Sequence, residues 1–365
     1  MKKLNIAIIG LGNIGSYLYK YLNDNRKILT KKNNCLPFIK YVSAKNKKRK
    51  RNIKIKSSQW LNNYLDATKF QDVDLIVELI GGSEGPAKKL VFNALKNKKH
   101  VVTANKALMA KYGDQLSKIA EKNKVNLEFE AAVCGGVPVI RSLKESLIAN
   151  KILKIYGILN GTSNYILSSM DKQNKNFQDV LSIAKKLGYA ESNPSADING
   201  DDVSAKLKIL SSLCFNSFLS DNIYVEGIKG IDTTDINNAN KLGYKIKLLG
   251  FAELLNNNIY QRVHPTLIKK NSYVASIDGV LNAVIIDGKP VGQSIIQGEG
   301  AGPAATTSAL ISDISSILRG NIKFPFSVSS KERKKLKFNT IDERSFSAYL
   351  RFEVIDKPGV LSNIT

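Results

Sequence analysis

Asp202 and Lys206 stand four residues apart in DDVSAKLKIL, a spacing that sets a carboxylate and an ammonium on one face of a helix. Two more acids, Glu191 and Asp197, precede them in the same stretch, LGYAESNPSADINGDDVSAKLKIL. A lysine held beside a carboxylate can stabilise a developing alkoxide or give it a proton, and a further carboxylate can bind a substrate ammonium. The same spacing suits a solvent-exposed helix ion pair, worth about a few tenths of a kcal/mol. On periodicity alone that plainer reading is the better supported.

Residues of this kind need a scaffold. Near the N-terminus, LNIAIIGLGNIGSYLYKYL runs from an apolar strand through GxGxxG into helical periodicity. In such a turn Gly10 makes the bend, Gly12 lets the backbone approach a pyrophosphate, and Gly15 lets helix and strand pack. Taken alone the motif is also compatible with an ordinary strand-to-helix turn. DVDLIVELIGG, a helix opening at Pro86, and HVVTANKALMA repeat the strand, polar loop, helix grammar, so Thr103, Asn105 and Lys106 project from the end of one strand. KVNLEFEAAVCGGVPVI adds a strand and breaks at Gly135, Gly136 and Pro138, after which RSLKESLIANKI reads as a helix.

The expected fold is therefore α/β: an N-terminal Rossmann doubly wound domain over residues 1–135, followed by an α+β substrate and dimerisation domain over 136–320. A small-residue helix near 303–318 is expected to return to the first domain. Residues 321–344 read as a polar, lysine-rich linker, and 345–365 as an alternating strand and the start of a helix.

The chain carries 55 Lys and Arg against 31 Asp and Glu, a net charge of +24. The excess is spread along the chain with no helix-turn-helix, zinc or RNP pattern, which argues against a nucleic-acid partner. One cluster stands apart: AKNKKRKRNIKIK follows the strand candidate FIKYVSA, where a Rossmann unit meets the adenosine ribose. Between Asp24 and Asp66 there is no acid to bind a ribose 2′-OH. Lys45, helped by Lys47, Lys48 or Arg49, is a candidate clamp for a 2′-phosphate, favouring NADP over NAD; a solvated basic loop is the alternative. No apolar run approaches the roughly 18 residues of a membrane span, so a cytoplasmic protein is expected. Cys35, Cys134 and Cys214 are widely separated and only two histidines accompany them, which speaks against disulfides and zinc.

In order and spacing, GLGNIG, VELIGG, TANKALMA, EAAVCGGVPVI, NGTSNYIL, the acidic stretch ending in DDVSAKLKIL, RVHPTLI, GEGAGPAATTSALISDI and DKPGVL resemble the homoserine dehydrogenases. The resemblance implies reversible NAD(P)-dependent interconversion of L-homoserine and L-aspartate 4-semialdehyde, on the way to threonine, methionine and isoleucine. It implies that Lys106 and Lys206 flank the reacting oxygen, with Lys206 the proton donor to the aldehyde. Glu191 then binds the substrate amino group, Asp202 supports substrate and lysine, and Thr162 lines the pocket. Around the cofactor it implies Gly10, Gly12, Asn13, Ile14, Gly15, Thr103, Lys106, Gly188 and Gly302. It further implies a monovalent cation, sodium, held by Glu130, Val133, Gly135 and Val137 largely through backbone carbonyls; without it, this stretch reads as a glycine-rich hinge.

A homodimer through the second domain's sheet, or a homotetramer, is expected from the same source. Asn193 departs from the family's usual Asp-Pro pair. RFEVIDKPGVL resembles the opening of an ACT regulatory domain that is too short to close, so control by threonine is in doubt and the tail reads as a fragment or a segment completed by another chain. The alternative functions are a related NADP-dependent oxidoreductase of aspartate metabolism and a catalytically inactive cofactor or amino-acid sensor.

Overall fold

The computed structural model describes residues 2–340, 343, 345–355, 357–360 and 362. β1 (Lys3–Ile9), β2 (Leu36–Ser43), β3 (Leu75–Glu78), β4 (His100–Thr103) and β5 (Leu127–Glu128) form an all-parallel sheet in the order β2-β1-β3-β4-β5. Sheets of this kind are covered on both faces, which is why their strands are nearly continuous apolar runs. In β1, Ile6 and Ile8 meet Leu18, Leu22 and Leu29 of the helices Asn13–Asp24 and Arg26–Asn33. Ala7 and Ile9 point the other way, into the core shared with the helices Pro86–Lys96 and Lys106–Asn123. The helix Pro303–Leu318 completes the first face through Leu310, Ile314, Ile317 and Leu318.

From β1 the chain passes to β2 on one side and then crosses to β3 on the other. That reversal opens a crevice beyond the carboxyl ends of β1 and β3. Gly10 (φ +112°) follows β1, and a Cβ there would lie 2.4 Å from the Leu79 carbonyl oxygen. A Cβ on Gly15 would lie 2.1 Å from the Gly10 oxygen, so helix and strand meet where only glycine fits. Gly15→Ala is accordingly expected to abolish nicotinamide-cofactor binding and to lower the melting temperature; parental cofactor affinity in a titration would refute this close-packing account.

The second sheet contains β6 (Lys151–Ile158), β7 (Tyr224–Val225), β8 (Tyr244–Leu255), β9 (Asn258–Lys269), β10 (Leu281–Lys289), β11 (Gly292–Glu299) and β12 (Lys337–Asn339). Its order is β11-β10-β6-β8-β9-β12, with β7 also on β9. β8 and β9 are joined by Asn256 and Asn257, both at positive φ, the two-residue turn that matches strand twist. Pro265 sits within β9 opposite Leu248, beyond the stretch where β7 and β12 pair with the other edge of that strand. The helices Gly161–Gln173 and Asp201–Phe215 pack on this sheet, and the latter also packs on the helix Lys106–Asn123, joining the two halves.

Three expectations are revised. The segment 141–152 is helical only through Ser146, in π geometry, and Lys151 already belongs to β6. The segment 321–344 is no loose connector in its described residues: Phe326 is fully buried, and the buried Arg333 reaches Asp114 (2.7 Å), the Ser212 hydroxyl (2.7 Å) and the Ser217 carbonyl. An apolar anchor and a guanidinium with several acceptors outweigh the polar composition around them. Residues 345–355 form no strand, because no neighbouring strand completes a ladder with them, and Leu350, Phe352 and Ile355 stay exposed. The rest of the expected ACT opening includes Asp356, Leu361 and residues 363–365, which lie outside the described residues.

Candidate active site

The helix Asp201–Phe215 starts after Gly200 (φ +89°), with Asp201 and Asp202 in its first turn, where the helix dipole favours negative charge. Most of the rest of the helix is buried, including Val203, Leu207, Ile209, Leu210, Leu213 and Phe215, as for a helix set into a core. Asp202 and Lys206 are therefore not a solvated pair: Asp202 is 5% exposed and Lys206 9%. Lys206 Nζ donates to Asp202 Oδ2 at 2.8 Å and to the Leu159 carbonyl at 2.7 Å. From the other half of the molecule, Lys106 Nζ reaches Asp202 Oδ1 at 2.7 Å. One carboxylate thus joins two ammonium groups.

Asn160 completes the cluster. Its Oδ1 caps the helix Gly161–Gln173 by accepting from Ser163 N, and its Nδ2 donates to Asp202 Oδ2 (2.8 Å) and Asp197 Oδ1 (2.7 Å). Burial works to raise the Asp202 carboxyl, but the charges of Lys206 and Lys106 prevail and hold it well below the ordinary carboxylate range. Burial works to lower the Lys206 ammonium, yet the Asp202 charge prevails and leaves it above its ordinary value. Asp197, shielded by burial and facing Asp202, is raised.

At the head of the helix Lys106–Asn123, Asn105 caps through Leu108 N (3.0 Å) and donates to the Gly82 carbonyl (2.7 Å). Thr103 is buried; its hydroxyl donates to Glu78 and accepts from Asn105 N. Glu78 also accepts from Ile80 N and Gly81 N, so the loops after β3 and β4 are tied at the crevice. The Thr103 side chain is therefore spent within the protein.

The crevice fits a dinucleotide. Gly12 opens the helix Asn13–Asp24 with no side-chain cap, and a Cβ on it would meet nothing within 4 Å. A cavity of about 360 Å³ lies against it, lined by Gly12, Asn13, Arg49, Arg51 and Pro303 among others. Asn13, Ile14 and Gly15 line an adjoining cavity of about 300 Å³, again with Arg49. Gly302 (φ +103°) opens the helix Pro303–Leu318, also without a side-chain cap. Two helix N-termini with free N–H groups therefore border one cavity, as an anionic ligand requires.

A model of the NAD-binding domain of homoserine dehydrogenase matches residues 10–130, and a homoserine dehydrogenase model matches residues 138–315. A homoserine dehydrogenase of Neisseria gonorrhoeae is 40% identical over 371 residues, covering 100% of this chain and 85% of that protein. The chain belongs to the homoserine dehydrogenase family. Among solved structures, a homoserine dehydrogenase from Thiobacillus denitrificans superposes with a TM-score of 0.90 at 35% identity, covering 100% of this chain and 85% of that one. One from S. aureus gives 0.76 at 40% identity, covering 87% and 78%. As a homoserine dehydrogenase, the chain is an NAD(P)-dependent oxidoreductase that interconverts L-homoserine and L-aspartate 4-semialdehyde.

Lys106, Asp202 and Lys206 come together as described. Glu191 is exposed, and the Thr162 hydroxyl donates to the Tyr189 carbonyl (2.6 Å) in the segment leading to it. Gly188 (φ +75°) follows the helix Phe177–Lys186 in the left-handed conformation that stops a helix, which accounts for glycine there without a ligand. Lys45 is exposed and does not line the cavity beside Gly12; Arg49 does. Arg51 fixes this loop by donating to the carbonyls of Leu11, Arg49 and Asn46.

The Glu130 carboxylate is committed to Ile140 N (2.9 Å) and Arg141 N (2.6 Å), and burial pushes it up to about 7. Its carboxylate is thus satisfied by backbone donors within the protein. Among the described residues no group of three or more His, Cys, Asp and Glu side chains could hold a metal ion. The Cys134 thiol is buried and pushed up to about 11, and burial raises Cys35 and Cys214 too, so none is poised as a nucleophile. No helix among the described residues is long and apolar enough to cross a membrane.

Sequence reasoning left Asn160 and Glu78 out of the site. Each carried a signal: Asn160 precedes a helix with a glycine at its start, and Glu78 ends an otherwise apolar strand.

Proposed function

We propose that Lys206 is the proton donor when the aldehyde is reduced and that Lys106 positions the same oxygen. The observation that carries this reading is the sharing of Asp202 by the two lysines. Lys206 uses N–H groups on Asp202 and Leu159, and an ammonium has three. The remaining N–H is available for a substrate oxygen. A raised lysine stays protonated through the neutral range, so the alkoxide formed on the carbonyl oxygen takes its proton from an ammonium already in place. Bound nicotinamide supplies or accepts the hydride.

Lys106 adds a second positive charge and links that site to the cofactor side of the crevice. Glu191 receives the substrate ammonium, and Thr162 fixes the segment that carries Glu191. The assay that tests the reading follows absorbance of the reduced nicotinamide with L-homoserine and either NADP or NAD. Absence of homoserine-dependent reduction with both cofactors would sink it.

We further propose that NADP is preferred, with Arg49 meeting the 2′-phosphate. Its place beside Gly12 and Asn13 supports this, as does the planar guanidinium's fit to phosphate. Arg49→Ala is expected to raise KM for NADP roughly tenfold or more, the scale of one charge-assisted hydrogen bond, with little effect on KM for NAD. Equal changes for the two cofactors would remove Arg49 from that role. A sodium ion on the backbone oxygens of Val133, Gly135 and Val137, together with that of Glu130, is proposed on the hard-donor character of the loop. A homodimer or homotetramer is proposed through the second sheet, where β11 is an edge strand.

A further inference from the structure

Asn282 is an anomaly in β10. It is fully buried beside Ala283, Val284, Ile285 and Ile286, all with no exposure. Its Oδ1 has no hydrogen-bond partner, and the amide also lies beside the buried Cys134 thiol. An apolar side chain would fill the place without burying an unpaired oxygen, so packing alone gives no reason for an amide here.

The nitrogen supplies one. The ladder between β10 and β6 ends at Ala283 opposite Ile158. One residue beyond, Asn282 Nδ2 donates to the Leu159 carbonyl at 3.0 Å. That same carbonyl accepts from Lys206 Nζ at 2.7 Å. The next residue, Asn160, donates to Asp202. The dipeptide Leu159–Asn160 therefore grips both members of the ion pair, and Asn282 anchors it.

Room for the amide comes from Gly300: a Cβ there would lie 2.2 Å from Asn282 Cγ. Gly300 is itself wedged against Gly135, whose Cβ would lie 2.4 Å from the Gly300 oxygen. We propose that Asn282 is a positioning residue for Lys206, fixing the Leu159 carbonyl so that the lysine keeps one N–H directed to the substrate oxygen. The inference rests on the role of Lys206 given above.

The test compares Asn282→Leu, which keeps the approximate shape without the donor, with Asn282→Ala and with Asn282→Ser, which keeps a shorter donor. For each, kcat and KM for homoserine oxidation, the deuterium isotope effect with homoserine labelled at the oxidised carbon, NADPH affinity by fluorescence, and the melting temperature are measured. The Leu and Ala variants are expected to lose kcat by about 10- to 100-fold, the scale of a misplaced catalytic group. Their isotope effect rises and NADPH affinity is kept, the melting temperature of the Leu variant does not fall while that of Ala drops with the cavity it leaves, and Ser recovers part of kcat. Parental kcat in Leu and Ala would overturn the proposal. So would loss of folding in both, or parallel losses of melting temperature, cofactor affinity and kcat, since these mark a structural role. A parental enzyme that leaves homoserine unoxidised would instead overturn the reading on which the proposal rests, and the proposal with it.

Discussion

Lys206→Ala is expected to lower kcat about a thousandfold in both directions, within the range of a lost general acid and its electrostatic support. The variant should still fold and still bind NADPH. Asp202 keeps Lys106 and Asn160 after the truncation, so no buried carboxylate is left alone. The glycine turn and its cavity lie in the other half of the molecule. Steady-state kinetics beside a fluorescence titration separates the two effects. Near-parental turnover would remove Lys206 from both proposed roles, proton donor and alkoxide stabiliser.

Asp202→Asn is expected to act on turnover and on stability together. It leaves the buried Lys206 ammonium without its counter-charge, and removing one member of a buried pair costs about 3–5 kcal/mol. Lys106, 44% exposed at its side chain, falls back on solvent. The pH dependence has a definite sign. Asp202 is held below its ordinary value when folded, so its contribution is present above the unfolded carboxylate pKa of roughly 4 and is lost as pH falls through the folded value. Lys206 is raised when folded, so its contribution is present below the unfolded lysine pKa of roughly 10.4 and is lost as pH rises through the higher folded value. Parent and variant should thus differ most in melting temperature on the acid side of neutrality, above the unfolded carboxylate pKa. The gap should narrow in strong acid, where Asp202 is protonated, and again as pH rises, because burial without a counter-charge lets the variant's Lys206 shed its proton early. A gap that stays constant from strong acid to strong base would assign the stabilisation to other groups.

The glycine turn was legible in the sequence because much of its requirement is local: Gly10 holds φ +112°, and a Cβ on Gly15 would strike the oxygen of Gly10, five residues earlier. The spacing of Asp202 and Lys206 was equally legible, but their burial was not. Burial is conferred by Leu159, Asn160 and Lys106, which are remote in sequence and arrive through β6 and through the crossing of two helices. The same limit explains Lys45. Composition marks the whole basic stretch, whereas the loop is folded by Arg51 bonding to Leu11, and that fold brings Arg49 to the cavity. Asn282 carried no local signal at all, since the carbonyl it donates to, that of Leu159, follows β6 and is remote in sequence. The tail 345–355 shows the reverse case: alternation is present, but a strand also needs a neighbour.

The helix Pro303–Leu318 sits on the first sheet although the whole second sheet apart from the short β12 precedes it in the chain. Its Leu310, Ile314 and Ile317 share a core with Ile6, Ile8 and Leu18. On a ribosome, then, the N-terminal half emerges early with one face of its sheet incompletely covered. That face closes only after the second half has been synthesised and has delivered the helix. Release of a finished nucleotide-binding unit partway through translation is thereby precluded, and a chain cut before residue 303 would leave apolar surface open to chaperones.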